Sequence, residues 1–190
     1  MPRTARELRS RGARDHNGRL LRWLLGSVFV LAVLHAIQTS YYEGRLNTAV
    51  REVSGQPQLS MDCRSLWEEA MSTRHGPGWV TWGSTAAQLR IDVCHNAVRF
   101  SSDPTSERHR TGLMVVIHEL AHLVGHRSEA ETECVAMWAA PHLAVALGAT
   151  HEEGEAAAQW HQDEVNPRLL PEYRATGCLE GDPPDSPLIP

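Results

Sequence analysis

His118-Glu119-Leu120-Ala121-His122 sets two imidazoles four residues apart, with a carboxylate beside the first. On a helix such positions share one face, so both rings can bind a single Zn²⁺ ion. Glu119 then stands where it can take a proton from water at the metal, which is the chemistry of a zinc hydrolase. Catalytic zinc usually takes three protein ligands and keeps one position open. The third must come from outside the motif, and Glu129, Glu131 and Glu133 are the nearest acids after it. A surface helix that merely carries two histidines is the alternative without chemistry.

The elements around the motif can be read from the same stretch. Leu113, Val116, Ile117, Leu120, Leu123 and Val124 recur at helical spacing, and Gly125 predicts the stop. Asp103 or Thr105 is the expected cap, with Pro104 in the first turn. Ser128 with Glu131 three residues on reads as a capping box, opening a second helix toward Leu147 with Pro141 as a kink or break and Gly148 as its end. If the two helices form a tight hairpin, side chains tilting toward their helix N-terminus let the deeper acid, Glu133, reach the metal as well as Glu129. Both therefore remain candidates, and Glu131 is given the capping role.

Ahead of the motif, Asp62 to Met71 predicts a helix, broken by Gly76-Pro77-Gly78. Trp79–Trp82 and Gln88–Val93 predict two short strands in a hairpin or small sheet. Trp79 and Trp82 are suited to a peptide groove, although core packing is the commoner use. His95 to Phe100 predicts one or two helical turns, and Glu152 to Trp160 a further helix. His95 and His142 read as ordinary polar residues near helix ends.

An H-E-x-x-H-x-x-G-x-x-H extension would mark a metzincin, but Ser128 stands where its third histidine belongs. The pattern His118-Glu119-x-x-His122 followed by Glu129-Ala-Glu-Thr-Glu133-Cys-Val-Ala136 instead resembles the gluzincin metallopeptidases, particularly their minimal minigluzincin core. The resemblance covers roughly Trp79 to Pro141. It implies Glu129 as zinc ligand, Glu133 as the acid that orients a ligand histidine, and Gln88–Val93 as an edge strand that binds substrate. It also implies a Tyr or His donor for the oxyanion, for which His126, His151, His161 and Tyr173 are eligible.

Charge and hydropathy organise the rest. Residues 1–22 hold seven arginines against Glu7 and Asp15, while the remainder holds 11 arginines and 21 acids, and there is no lysine. A basic tail beside an apolar run on an otherwise acidic chain indicates membrane topology and excludes nucleic acid as the expected partner. The run Trp23–Ile37, extended to Tyr42, is long enough to cross a bilayer, with Tyr41-Tyr42 expected at the far interface. Arginine placement predicts the N-terminus in the cytoplasm and the body outside, and Leu34-His35-Ala36, a poor cleavage signature, predicts an uncleaved anchor; secretion after signal cleavage is the alternative. Cys63, Cys94, Cys134 and Cys178 all follow the run, which suits two disulfides in an oxidising compartment. Three pairings are open, and Cys63–Cys94 with Cys134–Cys178 is preferred among them.

The expected architecture is α+β: a mainly helical metallopeptidase-like core with a two- or three-stranded sheet, preceded by one transmembrane helix. Its parts are a basic cytoplasmic tail (1–22), signal anchor (23–42), stalk (43–60), zinc domain (61–165) and Pro/Gly-rich tail (166–190). The expected function is zinc-dependent hydrolysis of a peptide or protein substrate with Glu119 as general base. A non-catalytic anchored domain with a structural or vestigial zinc site, acting by partner binding, is the alternative.

Overall fold

The structure, a computed structural model, describes residues 5–65, 68 and 76–189. The chain divides into two units, Met1–Gln38 and Thr39–Pro190. A long helix, α1 (Ala5–Ser54), begins in the first and ends in the second. In the first unit its apolar side chains between Trp23 and Ile37 face outward, Phe29 being 69% and Leu31 66% exposed. The stretch Arg22–Ser54, with a mean hydropathy of 1.6 in its most apolar window, is long and apolar enough to cross a membrane; a signal sequence meets the same description.

In the second unit the end of α1 is part of the core. Tyr42, Leu46, Ala49 and Val50 follow a helical stripe, and the last three are completely buried. The stalk expected over 43–60 is thereby corrected: Leu59 is buried too, and α1 also ties down the neighbouring strand. Met61 N–H donates to Asn47 Oδ1 at 2.6 Å and Cys63 N–H donates to Glu43 Oε1 at 2.8 Å. These bonds satisfy backbone donors along that strand's outer edge. Tyr42 meets His95 edge-on at 5.2 Å and belongs to this packing rather than to a membrane interface.

The sheet has three strands, β1 (Ser60–Arg64), β2 (Gly78–Val80) and β3 (Ala86–Arg90), in the order β1-β3-β2. β1 pairs parallel with β3, Cys63 opposite Leu89, and β2 pairs antiparallel with it, Gly78 opposite Leu89. The helix expected from Asp62 is a strand at its start, because Met61 and Cys63 are buried while Ser60 and Asp62 are partly exposed, a period of two. The rest of that expected helix lies outside the described residues, apart from Ser65 and Glu68. The strand expected over Gln88–Val93 is shifted to Ala86–Arg90, and Ile91 opens helix α2 (Ile91–Val98). β3 is therefore central, and β2 holds the edge.

Three more helices follow: α3 (Glu107–Leu123), α4 (Glu129–Ala146) and α5 (His151–Trp160). α3 starts after Ser106, later than Asp103 or Thr105; those two bond each other, Thr105 Oγ1 donating to Asp103 Oδ1 at 2.8 Å. α4 continues through Pro141, and Thr150 with Glu153 forms a full capping box for α5. One disulfide joins β1 to α2 (Cys63–Cys94), and the other joins α4 to the C-terminal segment (Cys134–Cys178). That segment is no loose tail. Ala175, Cys178 and Leu188 are buried, and Trp138 Nε1–H donates to the Cys178 carbonyl at 2.8 Å.

The packing of α1 against the core yields a stability prediction. Leu46 is completely buried, so Leu46→Ala should cost about 2–5 kcal/mol of unfolding free energy in a urea titration of the full chain in detergent. A change within about 0.5 kcal/mol, as for an exposed position, would contradict the assignment of this turn to the core.

Candidate metal centre

The last two turns of α3 carry the motif, with Leu113, Val116, Ile117, Leu120 and Ala121 packed beneath it. The helix ends at Val124, and Gly125 adopts φ +116°, a conformation that side chains with a Cβ rarely take. His126 N–H then donates back to the Ala121 carbonyl and Gly125 N–H to that of His122, closing a Schellman-type turn. Ser128 caps α4, its hydroxyl accepting from Glu131 N–H. Glu129 is the first residue of the new helix. Contacts of His122 with Glu129, and of the earlier His118 with the later Glu133, show the two helices running in opposite directions.

Three donor atoms converge there. His118 Nε2 lies 3.0 Å from Glu129 Oε2, His122 Nε2 lies 3.2 Å from the same oxygen, and the two nitrogens are 3.1 Å apart. Metal bonds of 2.0–2.1 Å place neighbouring donors about 3.3 Å apart in a tetrahedron and about 2.9 Å apart in an octahedron. The observed spacing falls between these limits, so this group could hold a metal ion. Each ring is held from behind, as metal-binding histidines usually are. His122 Nδ1–H donates to the His126 carbonyl at 2.8 Å, which leaves Nε2 with its lone pair toward the other donors. His118 Nδ1 lies 3.0 Å from Glu133 Oε1, an ion-pair contact with an angle poor for a hydrogen bond.

Glu133 thus faces the ring nitrogen of His118 that points away from the triad. Its other oxygen accepts from His161 Nε2–H at 2.7 Å, and His161 opens a π-helical turn after α5. Burial alone would raise the Glu133 carboxyl, but the contact with His118 and the bond from His161 outweigh it and hold the group down at about 2. Burial alone would lower His118, yet its bond to Glu129 and its contact with Glu133 raise it to about 9. Glu129 is lowered, chiefly by its bond to His118. These contacts favour the protonated form of His118, a proton that any metal ion bound here would have to displace. Glu119 goes the other way: burial pushes it up to about 7, partly opposed by the charge of His118.

A cavity of about 370 Å³ adjoins the motif, bordered by His118, Glu119, Glu133, His161 and Tyr173, with Met114, Val115, Val165 and Leu169 adding apolar wall. The backbone of β2 closes it from one side. A Cβ built on Gly78 would fall 2.7–2.9 Å from the Glu119 side chain, so any other residue here would push the base aside. The expected substrate strand Gln88–Val93 does not hold this position, because β1 occupies the other side of β3 and leaves β2 as the strand at the site.

Of the eligible oxyanion donors, only Tyr173 and His161 border the cavity. Tyr173 stacks on His118 at 6.0 Å, and burial together with the charges of Glu129 and Glu119 raises its phenol, which keeps it protonated. His161 is engaged with Glu133. His126 bonds Glu131 and Ser186, and His151 sits beside His142 and Glu155. Sequence reasoning missed Gly78, read only as a helix breaker, and the bond of His161 to Glu133. No local signal announces either, since both partners are distant in sequence. Among known protein families, curated proteins and solved structures, no match to this chain is found.

The two acids should separate in metal content measured after equilibrium dialysis. Glu129→Gln should abolish stoichiometric binding, whereas Glu133→Gln should weaken it roughly 10–100-fold by releasing His118. Equal losses in the two variants, or none in Glu129→Gln, would overturn the assignment of roles.

Proposed function

We propose that this chain is a zinc-dependent metallopeptidase of gluzincin type, held to a membrane by its N-terminal helix. The observation that carries the reading is the convergence of His118, His122 and Glu129 within 3.0–3.2 Å of one another, with Glu119 buried next to them. Two imidazoles and one carboxylate are a donor set of catalytic zinc, which leaves a position open, whereas structural zinc sites are closed by four protein ligands. Bound zinc supplies an acidified water and polarises the scissile carbonyl. Glu119, buried beside the triad, would be the base for that water and would return the proton to the leaving amine. Tyr173, protonated and stacked beside His118, donates to the carbonyl oxygen as negative charge develops. Glu133 keeps His118 in register, and His161 keeps Glu133 in register. Gly78 lets an extended substrate approach the free edge of β2, and the cavity takes an apolar side chain.

The seven arginines ahead of the apolar stretch orient the anchor with its N-terminus in the cytoplasm and the disulfide-bonded body outside.

Full-length protein extracted from membranes tests both parts. Glu119→Gln should keep its zinc and lose about 10²- to 10⁴-fold in peptide hydrolysis, since an amide cannot carry the proton. Full hydrolysis by that variant sinks the mechanism. A wild-type chain that holds zinc and cleaves nothing in a broad peptide library favours a non-catalytic binding role. Intact N-terminal sequence in the alkali-resistant membrane fraction supports the anchor, and a shortened, soluble body refutes it.

A further inference from the structure

The cavity is bordered by His118 and Glu119 but not by His122, whose neighbour Trp82 the steps above leave unused. Trp82, two residues beyond β2, meets the His122 ring edge-on at 5.7 Å and is 57% exposed. The Arg127 guanidinium lies 5.4 Å from the Trp82 ring centre. Arg127 is exposed and has no carboxylate partner among the described residues. Its acidic neighbours are engaged elsewhere, Glu129 with the two histidines and Glu131 with His126. A large indole held in water beside a metal ligand, under a cation with no counter-charge, is a surface suited to a ligand.

We propose that Trp82 and Arg127 form a recognition element for a carboxylate on the substrate, close to the scissile bond. This rests on the metallopeptidase reading above and names its substrate class: peptides carrying an acidic side chain or a free C-terminal carboxylate on the His122 side of the metal. Arginine's planar fork matches a carboxylate with two parallel hydrogen bonds, and the indole face covers the adjoining peptide. The two contact distances put the guanidinium within about 11 Å of the His122 ring. An extended peptide spans about 3.3–3.6 Å per residue, so the carboxylate falls within about three residues of the bond. Specificity also has a repulsive side. The chain after residue 22 carries 21 acids against 11 arginines, so an acidic substrate is disfavoured over most of that surface and is registered where Arg127 stands.

The test uses the full-length zinc-loaded Glu119→Gln chain in detergent and three peptides of equal length. One has an internal acidic residue and an amidated end, one is neutral with a free C-terminal carboxylate, and one is neutral and amidated. Affinity is read from tryptophan fluorescence, which needs no turnover. At least one carboxylate peptide should bind about tenfold tighter than the neutral amidated one, and the preferred one identifies the source of the carboxylate. Arg127→Ala should bring that ratio to about one, Arg127→Lys should retain part of it, and Arg127→Glu should reverse it, so that the neutral amidated peptide binds tighter. Equal affinities for all three peptides, or a ratio unchanged in Arg127→Ala, would overturn the proposal. Cleavage by the wild-type chain without this ratio sinks the recognition element alone, while the ratio without cleavage sinks the peptidase reading alone.

Discussion

Glu129 meets His118 and His122 only because the chain reverses direction within Val124–Ser128. Gly125 supplies the left-handed backbone, and the Ser128 hydroxyl starts the returning helix on its next residue. A longer connection would move the first turn of α4 away from the last turns of α3. The short one fixes two acids at once: Glu129 level with the Nε2 atoms, and Glu133 one turn deeper, against the far nitrogen of His118. Spacing of 3.6 residues per turn then makes the pair Glu129 and Glu133 the helical counterpart of His118 and His122. The turn thus decides which acid lies with the triad and which lies behind it.

The arrangement gathers ionisable groups where burying a charge is costly. Glu119, Glu133, His118, His122 and His161 are all at most 9% exposed. Buried charges are tolerated when each is paired, and here pairing runs in a chain from His161 through Glu133 to His118 and Glu129. Glu119 is the exception. Its carboxyl is pushed up because burial outweighs the attraction of His118, which leaves a group near neutrality beside the metal site. Perturbed carboxylates in a cleft are where function is sought. The two disulfides brace the surroundings, one tying the sheet to α2 and the other tying α4, next to Glu133, to the segment that carries Tyr173.

Much of this was legible in the sequence because its determinants are local. The motif helix, its stop at Gly125, the cap at Ser128, the apolar N-terminal stretch and a small sheet beside a helical core all follow from periodicity and turn chemistry. The failures were non-local. Residues 43–54 read as a stalk because their apolar stripe is sparse, and only the strand they cover reveals them as core. β1 was taken for a helix because Asp62 looks like a cap, while its inward pattern needs the pairing with β3 to matter. The choice between Glu129 and Glu133 needed the rotation of α4 against α3, which spacing along one chain does not fix. Trp82 and Arg127 meet across 45 positions, and neither residue announces the other.

X-ray absorption at the zinc edge of the metal-loaded full-length chain reads the central claim directly, because it reports the donors without requiring a substrate. The account predicts two imidazoles, with the remaining donors oxygen at about 2.0–2.2 Å, from Glu129 and water. Three imidazoles, sulfur in the shell, or a spectrum unchanged by Glu129→Gln would contradict it.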